Sequence, residues 1–155
     1  MIFVTVGTQD KPFDRLFRYL EEADIKDRVV VQSGFTKYKS SKYEVYDYLD
    51  KDKFDKYLDE ADIIITHGGV GTIMKALIDH KKVIAIARLS KYKEHQNDHQ
   101  LQIISSLKSE GYILELNEDN KLEDLLQEAK DFKVPEIKSN NKELINKLED
   151  YIDNL

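Results

Sequence analysis

The chain has 155 residues, a formal charge of −6 and no cysteine. That length suits one domain with a full hydrophobic core, and the acidic balance argues against a nucleic-acid binder, which carries a basic face. Without cysteine there are neither disulfides nor thiolate metal sites, which suits a reducing cytoplasm.

In chain order, strands and helices alternate almost without interruption. Residues 2–6 read as a first strand; the apolar start is too short, and lacks the basic lead-in, for a signal peptide. Residues 12–22 follow with helical spacing, Pro12 suiting the first turn and Phe13, Leu16, Phe17 and Leu20 sharing one face. Residues 28–32 form a second strand around Val29-Val30-Val31 and end at Ser33-Gly34. Residues 43–49 alternate loosely as a third, where Tyr43, Tyr46 and Tyr48 pack or offer one ring to a base; residues 52–60 make a short helix. The continuous apolar runs at 63–66 and 83–87 are those of central parallel strands covered on both faces. Between them residues 72–80 are helical, with His80 and Lys81 at the carboxyl end, where positive charge suits the helix dipole. The polar segment 88–100 leads into a helix that ends near Glu110, with Gly111 as its stop. A strand at 112–116, a helix at 122–132, a break at Val134-Pro135 and a terminal helix at 141–155 complete the chain. The terminal helix carries Leu144, Leu148, Tyr151, Ile152 and Leu155 as an apolar stripe, for its own domain or for a partner. No apolar run approaches the roughly twenty residues that span a bilayer.

This order predicts an α/β fold: one domain, 1–155, with a Rossmann-like, doubly wound, mostly parallel sheet whose ligands bind at the carboxyl ends of the strands. Three distinctive loops follow such ends: Gly7-Thr8-Gln9, residues 67–72 and residues 88–100. In the second, His67-Gly68-Gly69-Val70-Gly71-Thr72 follows an apolar strand and opens a helix. Such a turn presents backbone N–H groups and the positive end of a helix to an anion, typically a phosphate. Its glycines are expected to supply positive φ and close approach to the ligand; a plain tight turn is the alternative. The spacing is neither the Lys-bearing P-loop nor the dinucleotide fingerprint.

Around this loop, His67 is placed to act as a general base or to donate to a phosphate, or else serves the strand end structurally. Arg88 could neutralise a diphosphate or be only a solvated charge. Thr8 and Gln9 offer a hydroxyl and an amide to a ligand, or cap a loop. In Glu94-His95-Gln96-Asn97-Asp98-His99-Gln100, Asn97 or Asp98 reads as a helix cap, while Glu94, Asp98, His99 and Gln100 could bond ribose or sugar hydroxyls. His95 and His99, one turn apart if helical, could chelate a metal. The zinc-protease pattern, however, needs Glu where Gln96 stands, and no third ligand is evident, so no metal is expected.

Taken together, Phe3-Val4-Thr5-Val6-Gly7-Thr8-Gln9 with Pro12-Phe13-Asp14-Arg15-Leu16, the 67–73 loop, and Arg88 with the 94–100 segment resemble the C-terminal domain of family 28 glycosyltransferases in free-standing form. The likeness runs from Met1 to about Glu115. It is similar to the small subunits of bacterial exopolysaccharide and capsule transferases, and to the eukaryotic subunit that adds the second N-acetylglucosamine to dolichol diphosphate sugar. The resemblance implies half of a GT-B enzyme, with a UDP-sugar as donor substrate and no cofactor or metal. Gly68, Gly69, Gly71 and Thr72 then hold the diphosphate, the 94–100 segment meets sugar and ribose, and Gly7 and Thr8 line the cleft. A separate membrane-anchored subunit binds a lipid-linked acceptor and keeps this chain at the inner face of the membrane. The implied reaction moves galactose or N-acetylglucosamine to a lipid diphosphate carrier in surface polysaccharide synthesis, with His67, Glu94 or His95, or a partner residue, as base. The rival is a non-catalytic nucleotide-sugar-binding subunit that activates a separate transferase. One departure is Lys75, where related transferases often carry a ribose-binding Glu; an ammonium cannot accept those bonds.

Overall fold

The computed structural model of the chain describes residues 1–7, 10–136 and 146. Six strands, β1 (Ile2–Thr5), β2 (Val29–Gln32), β3 (Glu44–Tyr46), β4 (Ile63–His67), β5 (Lys82–Ile86) and β6 (Leu114–Glu115), form one sheet in the order β3-β2-β1-β4-β5-β6. Every neighbouring pair is parallel, so the sheet is wholly rather than mostly parallel. Among the described residues, five helices cover it: α1 (Asp14–Glu22), α2 (Lys51–Glu60), α3 (Val70–Ile78), α4 (His99–Ser109) and α5 (Leu122–Asp131).

The apolar runs stand as strands because both their faces are buried. In β4, Ile63 and Ile65 face the layer of α1 and α5, with Leu16, Leu20 and Leu125. Ile64 between them faces the layer of α2, α3 and α4, with Leu58, Leu77 and Ile104. A period of two on a two-sided sheet consumes every residue of such a run.

The order reverses between β1 and β4. From β1 the chain winds outward through β2 to β3, then returns to β4 and winds the other way. Open sheets of this kind bind ligands in the crevice at such a reversal, outside the carboxyl ends of the strands. The loops after β1, β4 and β5 meet there.

Several boundaries differ from the sequence reading, each for a local reason. Pro12 is not in the first turn of α1, because the Phe13 N–H is drawn instead to Thr36 Oγ1 at 2.8 Å and the helix starts at Asp14. The third strand shrinks to Glu44–Tyr46, which alone pairs with β2. There Tyr43 packs, its hydroxyl on the Leu20 carbonyl at 3.0 Å, and Tyr46 stacks on Tyr57. α3 starts two residues early, at Val70, with the Ile73 N–H bonded to the Gly69 carbonyl at 3.2 Å. Among the described residues no helix is long and apolar enough to cross a membrane. The expected terminal helix lies outside the described residues but for Asn146.

Candidate functional site

At the reversal, no side chain among the described residues caps the start of α3. Gly69 caps it without a side-chain hydrogen bond, and an α-helix leaves its first N–H groups without partners in the helix. The amides of Val70, Gly71 and Thr72 therefore stand free at the positive end of the helix dipole. A Cβ built on Gly71 meets nothing within 4 Å, so no described residue crowds this first turn at Gly71.

The other glycines of the loop are needed for a different reason from the one expected. None of Gly68, Gly69 and Gly71 has a positive φ. A Cβ on Gly68 would lie 2.6 Å from Gln100 Cβ, and one on Gly69 would lie 2.8 Å from the His67 ring. Gly7, whose φ is +74°, would set its Cβ 2.6 Å from His67 Nε2. The close approach is thus to the protein's own imidazole and amide. Only Gly71 in this loop opens onto free space.

His67 ends β4 and is 6% exposed. Gln100, on the first turn of α4, accepts from the Gly68 N–H at 3.2 Å and the Arg88 N–H at 3.0 Å with its Oε1. That pins the amide orientation, so its Nε2 donates to His67 Nδ1 at 3.2 Å. The ring proton then sits on Nε2, against Gly7 and Gly69. Burial first, then the charge of Arg88, pushes the imidazole down to about 3. His67 is a neutral donor; the general-base role expected of it has no free lone pair to act through. Gln100 clamps the Gly68 and Arg88 backbones and the His67 ring together and has no acceptor left for a sugar.

A histidine kept neutral by folding costs stability in acid. The unfolded ring takes up a proton below its ordinary value of about 6.5, while the folded ring stays neutral until about 3. The contribution of His67 is therefore complete above pH 6.5 and is lost as pH falls from there towards 3. Between pH 7 and 5 the wild type should lose about 2 kcal/mol more unfolding free energy than His67→Gln, at about 1.4 kcal/mol per pH unit of mismatch. Urea titrations at the two pH values measure this; equal losses would contradict a buried neutral ring.

Arg88 is 1% exposed rather than a solvated charge. Its Nη1 donates to the carbonyls of Lys11 at 2.9 Å and Glu94 at 3.2 Å, and its Nη2 to Val6 at 3.1 Å. The guanidinium lies over the Phe13 ring, 4.8 Å from its centroid. Burial pushes it down to about 10, still charged at neutral pH. It ties the loop after β1 to the loop after β5, and its Nη groups point at carbonyls, not at a ligand.

Glu94 is likewise inside. Its Oε1 accepts from Arg15 Nη2 at 2.9 Å and the Leu89 N–H at 3.1 Å, and its Oε2 from Arg15 Nε at 3.3 Å. Both oxygens are engaged, which removes it as a base and as a sugar ligand. Arg15, its partner, is a site-supporting residue that sequence reasoning missed; a 79-residue separation gives no local signal.

The rest of the segment divides. Asp98 accepts from the Ser90 N–H at 2.8 Å and hydroxyl at 3.0 Å, bonds that hold its carboxyl below the usual range. Asp98 is the N-cap residue of α4 but makes no side-chain cap bond; Asn97 Oδ1 accepts from the His99 N–H at 3.1 Å. His95 is half-buried in the loop ahead of α4, so the helical spacing needed for a His95–His99 chelate is absent. Its Nδ1 accepts from the Asn97 N–H at 3.3 Å, leaving the neutral ring's proton on Nε2. Burial, then the charges of Lys11 and Arg88, hold its pKa below the ordinary histidine value. His99 is half-buried, and its Nδ1 has no partner among the described residues. Thr72 is half-exposed at the start of α3, Lys75 is paired with Asp55 of α2 at 2.8 Å, and Thr8 and Gln9 lie outside the described residues.

Three comparisons with known proteins bear on this arrangement. Residues 1–155 match the family model of the glycosyltransferase family 28 C-terminal domain. The human UDP-N-acetylglucosamine transferase subunit ALG13 is 27% identical over 128 residues, covering 72% of this chain and 10% of that protein. Among solved structures, the glycosyltransferase SnogD from Streptomyces nogalater matches with a TM-score of 0.54 at 18% identity, over 98% of this chain and 42% of that one. The glycotransferase of kitacinnamycin gives 0.57 at 18% identity, over 83% and 33%. The two structures share the fold, and this chain spans less than half of each of the three matched proteins.

Proposed function

The chain belongs to the glycosyltransferase family 28 C-terminal domains, and from that premise we propose that it is the donor-binding half of a two-chain UDP-sugar transferase. The observation that carries this reading is the open start of α3 at the sheet reversal, where three unpaired amides and the helix dipole face a space that Gly71 leaves clear. A diphosphate satisfies those amides.

In the transfer, a hydroxyl oxygen of the acceptor attacks the anomeric carbon. The bond from that carbon to the β-phosphate oxygen breaks, and its electron pair leaves with UDP. Amides fixed beforehand at the start of α3 stabilise the charge that grows on the leaving group. The acceptor proton must go to a base. His67 and His95 carry their protons on Nε2 with Nδ1 engaged, and Glu94 is held by Arg15. With these three engaged, we propose that the base belongs to the partner chain, which also brings the acceptor. The human relative named above is itself called a subunit, which supports a two-chain enzyme.

The finer reading is transfer of galactose or N-acetylglucosamine to a lipid-diphosphate-linked acceptor in surface polysaccharide synthesis. The chain then works in the cytoplasm, at the inner face of the membrane through its anchored partner, with no metal. With Lys75 held by Asp55, the ribose contact comes from elsewhere, and His99 is the expected polar residue still available for it. Calorimetric titration with UDP, UDP-galactose, UDP-N-acetylglucosamine and ATP tests the donor site: binding of the uridine compounds over ATP is expected. Equal or absent response to all four would remove its support. Turnover by the pair reconstituted with a membrane-anchored acceptor subunit then separates a transferase half from a purely activating subunit.

A further inference from the structure

A bound diphosphate brings at least two negative charges, and three amides at a helix end supply only about half a unit of positive charge between them. A full cation is needed, and the structure removes the obvious ones. Arg88, the arginine that sequence reasoning set against the diphosphate, is 1% exposed with both Nη groups on backbone carbonyls. Arg15 is paired with Glu94, Lys75 with Asp55 and Lys91 with Glu118. His67 is a neutral donor. Two cations of these loops have no partner among the described residues, exposed Lys93 after β5 and half-buried Lys11 after β1, and of these it is Lys11 whose backbone Arg88 ties to residues 94–95.

Its position is fixed through its main chain. Arg88 Nη1 holds the Lys11 carbonyl at 2.9 Å and the Glu94 carbonyl, next to His95, at 3.2 Å. One buried nitrogen thus draws residue 11 and residues 94–95 to the same side of the crevice. Resting on the donor-site reading above, we infer that Lys11 supplies the positive charge that meets the nucleotide's phosphates, and that Arg88 acts on the ligand only by placing Lys11. The charge of Lys11 is felt at the His95 ring, so the ammonium lies near the 94–100 segment. A lysine fits this place: a compact charge on a four-carbon stem reaches a phosphate from a loop whose backbone is held.

The test is UDP affinity by calorimetry for the wild type, Lys11→Met, Lys11→Arg and Lys91→Met, at low and at moderate salt. Lys11→Met should weaken UDP binding about tenfold, the usual worth of one charge-assisted contact, with a shallower dependence on salt. Lys11→Arg should keep most of the affinity. Lys91→Met removes the same charge from a residue paired with Glu118 and should change nothing, which separates a contact from a general charge effect. UDP bound equally by wild type and Lys11→Met, or weakened equally by Lys91→Met, overturns the role of Lys11 and leaves the donor site standing. A wild type that does not bind UDP overturns both.

Discussion

Replacing Glu94 by alanine should lower the unfolding free energy by about 3–5 kcal/mol, the usual loss when one partner of a buried ion pair is removed. Glu94 is 4% exposed and Arg15 9%. Besides its two bonds to Glu94, Arg15 donates to the Ala87 carbonyl at 2.7 Å and lies between the rings of Phe13 and Tyr92. Without the carboxylate, a guanidinium stays buried with no counter-charge, and the Leu89 N–H loses its acceptor. Glu94→Gln should cost less, since an amide oxygen still accepts one of these bonds. The pair Arg15→Leu with Glu94→Leu should recover most of the loss, because no unpaired charge remains. Urea unfolding at constant m-value measures each variant. A loss below about 1 kcal/mol for Glu94→Ala, the range of exposed pairs, would show that Glu94 is solvated and free to serve as sugar ligand or base.

Replacing Gly69 by aspartate should abolish measurable UDP binding, a weakening of at least about 100-fold, or about 2.7 kcal/mol. Two effects add. A Cβ there stands 2.8 Å from both Cε1 and Nε2 of His67, and that ring is held from behind by Gln100 and cannot retreat. The new carboxylate also sits beside the amides that take the phosphate, where like charges repel. Gly71→Ala is the contrast. Its Cβ enters open space at a helical position, so stability should rise by about 0.5–1 kcal/mol, the usual gain over glycine in a helix, while UDP affinity falls. Should Gly71→Ala bind UDP as the wild type does, the phosphate does not lie over the first turn of α3.

Much of the fold was legible in the sequence because its central strands are buried on both faces. Val29-Val30-Val31 and Ile63-Ile64-Ile65 announce themselves without any partner being known. The third strand was overdrawn, since the alternation around Tyr43, Tyr46 and Tyr48 continues past Tyr46, and Tyr48 is 56% exposed. The start of α3 was set two residues late because three glycines read as loop, yet Gly71 takes helical conformation once Gly69 caps the helix.

The site was legible as a place and less so as chemistry. Three loops at the carboxyl ends of strands can be read from order alone. The roles within them depend on partners far along the chain. Arg88 answers to Val6, 82 residues away, and Glu94 to Arg15, 79 away. Gln100 answers to Gly68 and His67. A polar residue in a polar loop looks free until its partner is placed. That is why Glu94, Gln100 and Arg88 read as ligand contacts and stand instead as the frame, while Lys11, which no motif marks, has no partner among the described residues.

The most direct measurement follows the backbone amide resonances of isotopically labelled protein as UDP is added. Val70, Gly71 and Thr72 should shift and saturate with the calorimetric affinity, while amides on the far side of the sheet stay in place. UDP binding with those three resonances unmoved would contradict a diphosphate at the start of α3.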